Sequence, residues 1–254
     1  MKILAIIQAR TGSTRLPGKS VKKINGKPLI WYIVDTVKKS KLIDEIVLAT
    51  TTKEKDKILI DLAKEYGVKS FAGDENNVLD RYYQAAKKFE GDIIVRLTGD
   101  CPLQDHNVID RIIQEFLDNE FDYVSNTLVS TFPHGLDTEV FSFNALEKSW
   151  KQATHPLETE HVTFRIKKRT DLFSTKNVYN SENMHSFRWT VDYSEDFLLI
   201  EEILKRLGNK ERNMQNILEI FEKEPELKEL NRKVAQEWDS KLEKDEKIYI
   251  EESK

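Results

Sequence analysis

The chain reads as an α/β protein, with a mostly parallel sheet covered by helices on both faces and an inserted lobe on the substrate side. Three observations lead there. Uninterrupted apolar runs of strand length recur through the first half of the chain, which is the pattern of strands buried on both faces. Amphipathic segments with cap and stop signals separate them, and that alternation builds parallel sheets through crossover helices. The 254 residues, 39% hydrophobic and 33% charged, suffice for one large core in an ordinary globular composition.

The elements follow in order. "KILAIIQA" (Lys2–Ala9) is the first buried strand. In "PLIWYIVDTVKKS", Pro28 suits a first helical turn, apolar residues recur at helical spacing, and lysines close the end. "DEIVLATT" is a second strand, "KDKILIDLAKEYG" an amphipathic helix stopped by Gly67, and "VKSFAG" a third strand. Asn76 or Asn77 caps the helix "NNVLDRYYQAAKKFEG". "DIIVRLTGD" is a fourth strand, "HNVIDRIIQEFLDNE" a helix and "FDYVSN" a fifth strand. Residues 127–188 break this rhythm and are expected as an inserted substrate or dimerisation lobe, with helices at 144–153 and 157–168. "FRWTVD" (Phe187–Asp192) returns to strand, and Ser194 is expected to cap "SEDFLLIEEILKRLG". Residues 1–208 then form the main domain and 209–254 a charged helical extension, in which Leu227, Leu230, Val234 and Trp238 make a stripe expected to dock.

Charge distribution narrows the function classes. The net charge of −4 gives no bulk attraction to nucleic acid or an anionic membrane. Residues 1–28 nevertheless carry seven Lys or Arg and no acid, which leaves −11 on the remainder. A cationic first segment on an acidic chain points to a local anion site. The single cysteine, Cys101, excludes an internal disulfide and suits the reducing cytoplasm. No apolar run reaches bilayer length, and the N-terminal run lacks a signal-peptide cleavage site.

The loop after the first strand, "QARTGSTRLPGKS", ends like a Walker motif but is not one. Gly12 and Gly18 enclose five residues rather than four. Moreover, Lys19-Ser20 runs into "VKKINGKP", whose Asn25-Gly26 signals a turn before any helix begins. What remains is a strand-end loop with Gly12 for close approach, Ser13 and Thr14 as donors, and Arg10, Arg15 and Lys19 as cations. Such a loop can cradle a polyphosphate. Asp100 closes the fourth strand and Asp192 closes "RWTVD", so both acids are placed to face one ligand edge. Two carboxylates plus phosphate oxygens suit Mg²⁺, which commonly takes one or two protein carboxylates and keeps its waters.

"IIQARTGSTRLPGKSVKKINGKPLIWYIVD" closely resembles the opening of the SpsF-like spore-coat polysaccharide proteins, relatives of the cytidylyltransferases that activate sialic acid and ketodeoxyoctulosonate. "VLDRYYQAA", "VRLTGDCPLQD", "DYVSN", "HGLDTEVFSFNAL", "EHVTFRI" and "RWTVDYSEDFLLI" extend the resemblance in order to Leu207. The resemblance implies a Rossmann-like nucleotide-diphospho-sugar transferase fold that joins CMP from CTP to an acidic or phosphorylated sugar and releases pyrophosphate, in a cytoplasmic homodimer. It implies that Gln8, Ala9, Arg10, Gly12, Ser13, Arg15 and Lys19 wrap the nucleotide, with Arg10 and Lys19 catalytic. Asp80, Arg81, Arg96, Thr98 and Gly99 join the nucleotide side. By the same resemblance, His134, Gly135, Asp137, Glu139, Glu160 and His161 line the sugar pocket, and Asp100 and Asp192 hold Mg²⁺.

Two other function classes fit the fold. A glycosyltransferase of the related GT-A-like fold would place an Asp-x-Asp pair after the fourth strand, and "TGDCP" lacks it. A catalytically silent scaffold would have no use for Arg10, Lys19, Asp100 and Asp192 together. Tyr82 and Tyr83 fall on the apolar face of their helix and read as core. Cys101 reads as a small buried residue with nothing nearby in sequence to activate it.

Overall fold

The structure, a computed structural model, describes residues 1–237. Strand β1 (Ile3–Gln8) opens it, with Leu4 to Ile7 fully buried. The basic loop follows, then a hairpin of β2 (Lys23–Ile24) and β3 (Lys27–Pro28). Its turn is Asn25-Gly26, with both residues at positive φ as a tight hairpin requires. Helix α1 (Leu29–Val37), strand β4 (Glu45–Thr51), helix α2 (Lys57–Glu65) and strand β5 (Lys69–Gly73) come next. Helix α3 (Val78–Lys88) is capped by Asn77, whose side chain accepts from the Asp80 amide. Strand β6 (Ile93–Thr98), helix α4 (His106–Leu117) and strand β7 (Tyr123–Ser125) complete the part that alternates regularly.

The order across the sheet is β5-β4-β1-β6, all parallel, and the register sets Gln8 beside Thr98 and Ala49. All four strands therefore finish on one edge, at Gln8, Thr51, Gly73 and Thr98. Ligands of open parallel sheets bind beyond that edge. Beyond β6 the sheet changes direction. Strand β8 (Glu139–Ser142) pairs antiparallel with β6 and with β7, so it stands between them. The segment expected as an inserted lobe thus also supplies a strand of the central sheet. Its alternation of Val140 towards one core and Phe141 towards the other gave only a loop-and-strand signal in the sequence.

The remaining elements are α5 (Phe143–Gln152), α6 (Pro156–Glu160), α7 (Phe164–Lys168), β9 (Thr175–Asn177), α8 (Ser194–Leu207) and α9 (Met214–Lys223). Helices α1, α2, α4, α8 and α9 cover one sheet face, while α3, α5 and α7 cover the other. Three local expectations are corrected. The helix expected at 157–168 breaks at His161, leaving α6 and α7. Ser194 is the first helical residue of α8, and Tyr193 is the cap. Phe187–Asp192 joins no strand ladder. It makes one bridge, His134 to Arg188, and is tied by backbone bonds from Trp189 N to His134 O and from Val191 N to Asp100 O.

The extension after residue 208 docks on the body. Arg212 pairs with Asp35 at 2.6 Å and lies over the Trp31 and Tyr32 rings, while Asp105 accepts from the Met214 amide. Leu227 and Val234 are buried, but Leu230 is 40% exposed, so the expected stripe docks on only part of its length; Trp238 lies outside the described residues. No helix among the described residues is long and apolar enough to cross a membrane.

Candidate active site

The basic loop is fixed before any ligand arrives. The Thr11 amide and hydroxyl both donate to Asp56 Oδ1, at 2.7 and 2.6 Å, and Asp56 is fully buried after β4. Gly18 N donates to Thr11 O, Ser20 Oγ to Arg10 O, and Ser13 Oγ accepts from Leu16 N. Gly18 sits at φ +70°, a left-handed conformation that glycine adopts without strain. Lys19–Val21 forms a three-residue 3-10 turn, and the first α-helix waits until Leu29. The loop is therefore not a Walker cradle.

Lys19 is the centre of the site. Its ammonium donates to Asp100 Oδ2 at 2.8 Å, to Asp192 Oδ1 at 2.8 Å and to the Val191 carbonyl at 2.7 Å. Segments far apart in sequence thus converge on one nitrogen. The two carboxylate oxygens can be no farther apart than twice the 2.8 Å that each keeps from it. Arg15 adds a 2.9 Å contact to Asp192 Oδ1 and lies over the Tyr193 ring. Arg188, buried, donates to Asp192 Oδ2 at 3.0 Å. Burial alone would raise both acids, yet Lys19 holds Asp100 and Asp192 below the usual carboxylate range, with Arg15 helping at Asp192. Lys19 itself is disfavoured by burial but raised by the two acids, so the triad is an ammonium between two carboxylates.

A second cationic group flanks the loop. Arg10, half exposed, lies 4.0 Å from Glu75, and Lys53 lies 3.3 Å from the same carboxylate. A Cβ on Gly12 would fall 2.7 Å from the Lys55 ammonium, so Gly12 is where this lysine crosses the loop.

A profile of the cytidylyltransferase family matches residues 4–247. The chain belongs to that family. Over 238 residues this cytidylyltransferase is 40% identical to an uncharacterized protein of Methanocaldococcus jannaschii, covering 93% of its own length and 97% of the other. It is 34% identical to the spore coat polysaccharide biosynthesis protein SpsF of Bacillus subtilis, over 82% of its length and 88% of that protein. A solved cytidylyltransferase from Leptospira borgpetersenii superposes with a TM-score of 0.86 at 34% identity, covering 89% of this chain and 96% of that one.

The other candidate residues of the cytidylyltransferase fall into two groups. At the strand ends, the Gln8 side-chain oxygen is buried and has no hydrogen-bond partner among the described residues. Ala9 packs under Gly99, where a Cβ would meet Ala9 Cβ at 2.9 Å and Gln8 O at 3.0 Å. Gly99 is thus required by packing. Thr98 Oγ1 lies 3.2 Å from Cys101 Sγ, and burial pushes the Cys101 thiol well up, which leaves it inert as a nucleophile. His134 pairs with Asp137 at 3.0 Å, and Gly135 N also reaches Asp137. The same loop is clamped by Asn126, which donates to Leu136 O and accepts from Thr138 N. Gly135 has φ +113°, and a Cβ there would lie 2.7 Å from the Trp189 carbonyl carbon and 2.9 Å from Thr190 N. Gly135→Ala is expected to cost about 1–3 kcal/mol in backbone strain alone. Because 188–192 carries Asp192, it should lower activity beyond the fall in Tm, which thermal melts and pyrophosphate release together will show.

The second group is committed elsewhere. Arg96 pairs with Glu139 across the β6–β8 register at 3.1 Å, and Glu139 also accepts from Thr163 and contacts Lys167. Glu139 is buried and Arg96 partly so, and their pairing braces β6 against β8. Arg81 donates to the Asp74 and Glu75 carbonyls, which holds Glu75 against the cations, and Asp80 accepts from Trp150 Nε1. Tyr82 and Tyr83 are core, as expected. Glu160 and His161 are exposed around the end of α6. Burial would raise Glu139, but Arg96 and Lys167 bring it down to about 2 from 4.5. Its contribution is therefore complete above pH 4.5 and lost as pH falls towards 2. Glu139→Gln should destabilise by about 3–5 kcal/mol at neutral pH, with the gap to wild type narrowing below pH 4.5 in urea titrations.

Lys53, Lys55, Glu75 and Arg188 were not anticipated from the sequence. The lysines sit in an ordinary solvated run, "TTKEKDK", and Arg188 carried only the signal of a charge within "FRWTVD".

Proposed function

We propose that the chain transfers CMP from CTP to an acidic or phosphorylated sugar, for surface polysaccharide assembly, in a Mg²⁺-dependent reaction. The observation that carries this is the ammonium of Lys19 bridging Asp100 and Asp192 beside a pre-folded cationic loop, in a chain of the cytidylyltransferase family. The role of SpsF named for B. subtilis supports the polysaccharide context.

A sugar oxygen attacks the α-phosphorus, the bond to the β-phosphate breaks, and pyrophosphate leaves with the electron pair. Such transfer needs alignment and charge neutralisation more than a protein nucleophile. In this reading Arg10, Lys53 and Lys55, which gather beside Glu75 and Gly12, receive the polyphosphate. Lys19 has its three N–H groups on protein acceptors, so contact with phosphate requires it to release one of them. The unpaired Gln8 oxygen offers an acceptor to a ligand donor at the end of β1.

The donor set fits Mg²⁺ bound together with its nucleotide. Among the described residues no group of three or more His, Cys, Asp or Glu converges, so the protein offers two carboxylates and leaves the other positions to phosphate oxygens and water. Asp100 and Asp192 would hold the ion, and its chemistry would be to neutralise charge on the phosphates. We further propose a cytoplasmic homodimer.

The test is pyrophosphate release over a panel of nucleoside triphosphates and sugars, with UDP-sugars as controls. Release with CTP and one acidic or phosphorylated sugar, abolished by EDTA and restored by Mg²⁺, is the expected result. Sugar transfer from a UDP-sugar would overturn the reading in favour of a glycosyltransferase.

A further inference from the structure

We propose that Asn231, in the C-terminal extension, is a positioning residue for Asp192. It rests on the reading above, in which Asp192 belongs to the phosphate-side pair.

The chain of contacts is continuous and buried. Asn231 is 4% exposed and uses both hydrogens of its amide nitrogen, one on Asp196 Oδ1 at 2.9 Å and one on the Arg188 carbonyl at 3.0 Å. Asp196 is fully buried and accepts from Arg188 Nε and Nη2 and from the amides of Asp192 and Tyr193. Arg188 Nη2 in turn donates to Asp192 Oδ2, whose partner oxygen holds Lys19 and Arg15. Asp196 therefore fixes the backbone of Asp192, and Arg188 fixes its carboxylate. Asn231 ties both to a segment that enters from more than thirty residues later in sequence.

Chemistry singles out the amide. At position 231 a carboxylate would face Asp196 with like charge, and an apolar side chain would leave the Arg188 carbonyl without this donor. A primary amide has two donors on one nitrogen, so it serves both acceptors and adds no charge beside Arg188. The residue also begins the helical turn over 232–237, because its carbonyl accepts from Ala235 N. Its backbone is thereby placed independently of the side chain.

The test compares wild type, Asn231→Ala and Arg232→Ala, the last an exposed neighbour that pairs locally with Glu229. Acetic anhydride labelling read by mass spectrometry reports directly on Lys19, with Lys167 at the Glu139 brace as an internal control. In Asn231→Ala, Lys19 should label at least threefold faster than in wild type, with Lys167 unchanged and Arg232→Ala like wild type. With the substrates that give pyrophosphate release, kcat should fall about tenfold while KM for CTP moves less than twofold. An unchanged Lys19 rate would overturn the proposal, and so would an equal rise at Lys167, which marks general loosening. Should Asn231→Ala give no cooperative melt, Asn231→Ser, which keeps one donor, is read in the same way. If wild type releases no pyrophosphate from any triphosphate, the function reading fails while the labelling still decides the role of Asn231.

Discussion

Lys19→Ala is expected to lower pyrophosphate release by about 10²–10³-fold, the usual cost of removing one preorganised electrostatic group from a transfer site. The same change should reshape the pH dependence of stability. In wild type, Asp100 and Asp192 are held below their ordinary 3.8, so their contribution is complete above that pH and lost as pH falls further. Without Lys19, Asp192 keeps Arg15 and Arg188, whereas Asp100 loses its 2.8 Å ion pair. Its folded-state value should rise above 3.8, and protonation then favours the folded state. The variant should be less stable than wild type by about 3 kcal/mol at pH 7, the lower end for a broken buried pair because Asp100 is partly exposed. That deficit should shrink as pH is lowered through 5 towards 4. Urea titrations over this range check it, and a deficit independent of pH would mean that Lys19 does not neutralise Asp100.

Asp100→Asn separates structure from chemistry. The amide keeps the shape and an oxygen acceptor, and Lys19 retains Asp192 and the Val191 carbonyl. Stability should stay within about 1 kcal/mol of wild type, a few degrees in Tm. Pyrophosphate release should fall about 10³-fold, because the lost carboxylate is the one with fewer protein cations and so the one freest to serve a metal-bound polyphosphate. Near-normal turnover would reduce Asp100 to a counter-ion for Lys19.

Much of this site could be read in the sequence because its parts sit where strand periodicity ends. Leu4 to Ile7 and Ile93 to Val95 are buried on both faces and announce themselves as apolar runs. The loops after Gln8 and Thr98 then had to share an edge once both strands were parallel. Asp192 was reached for an incomplete reason. Strand periodicity puts it at a strand end, whereas it sits in an extended segment tied to Asp100 by the Val191 amide and to the His134 loop by Trp189. Strand β8 was harder to place, because nothing local says that a short segment after a glycine loop will insert between β6 and β7. Its one sequence marker, Glu139, looked like a ligand contact until its register partner Arg96 was known. An acid and a base forty-three positions apart carry no spacing signal of their pairing. Asn231 is the extreme case: one amide side chain in a highly charged segment, whose meaning lies wholly in the buried Asp196 and Arg188 it meets.

The most direct measurement is a crystal structure of the protein grown with CTP and Mg²⁺. Triphosphate density between the 10–19 loop and the carboxylates of Asp100 and Asp192, with the ion bound to at least Asp100, is the expected result. A nucleotide bound elsewhere, with Lys19 still joined to both acids, would contradict it.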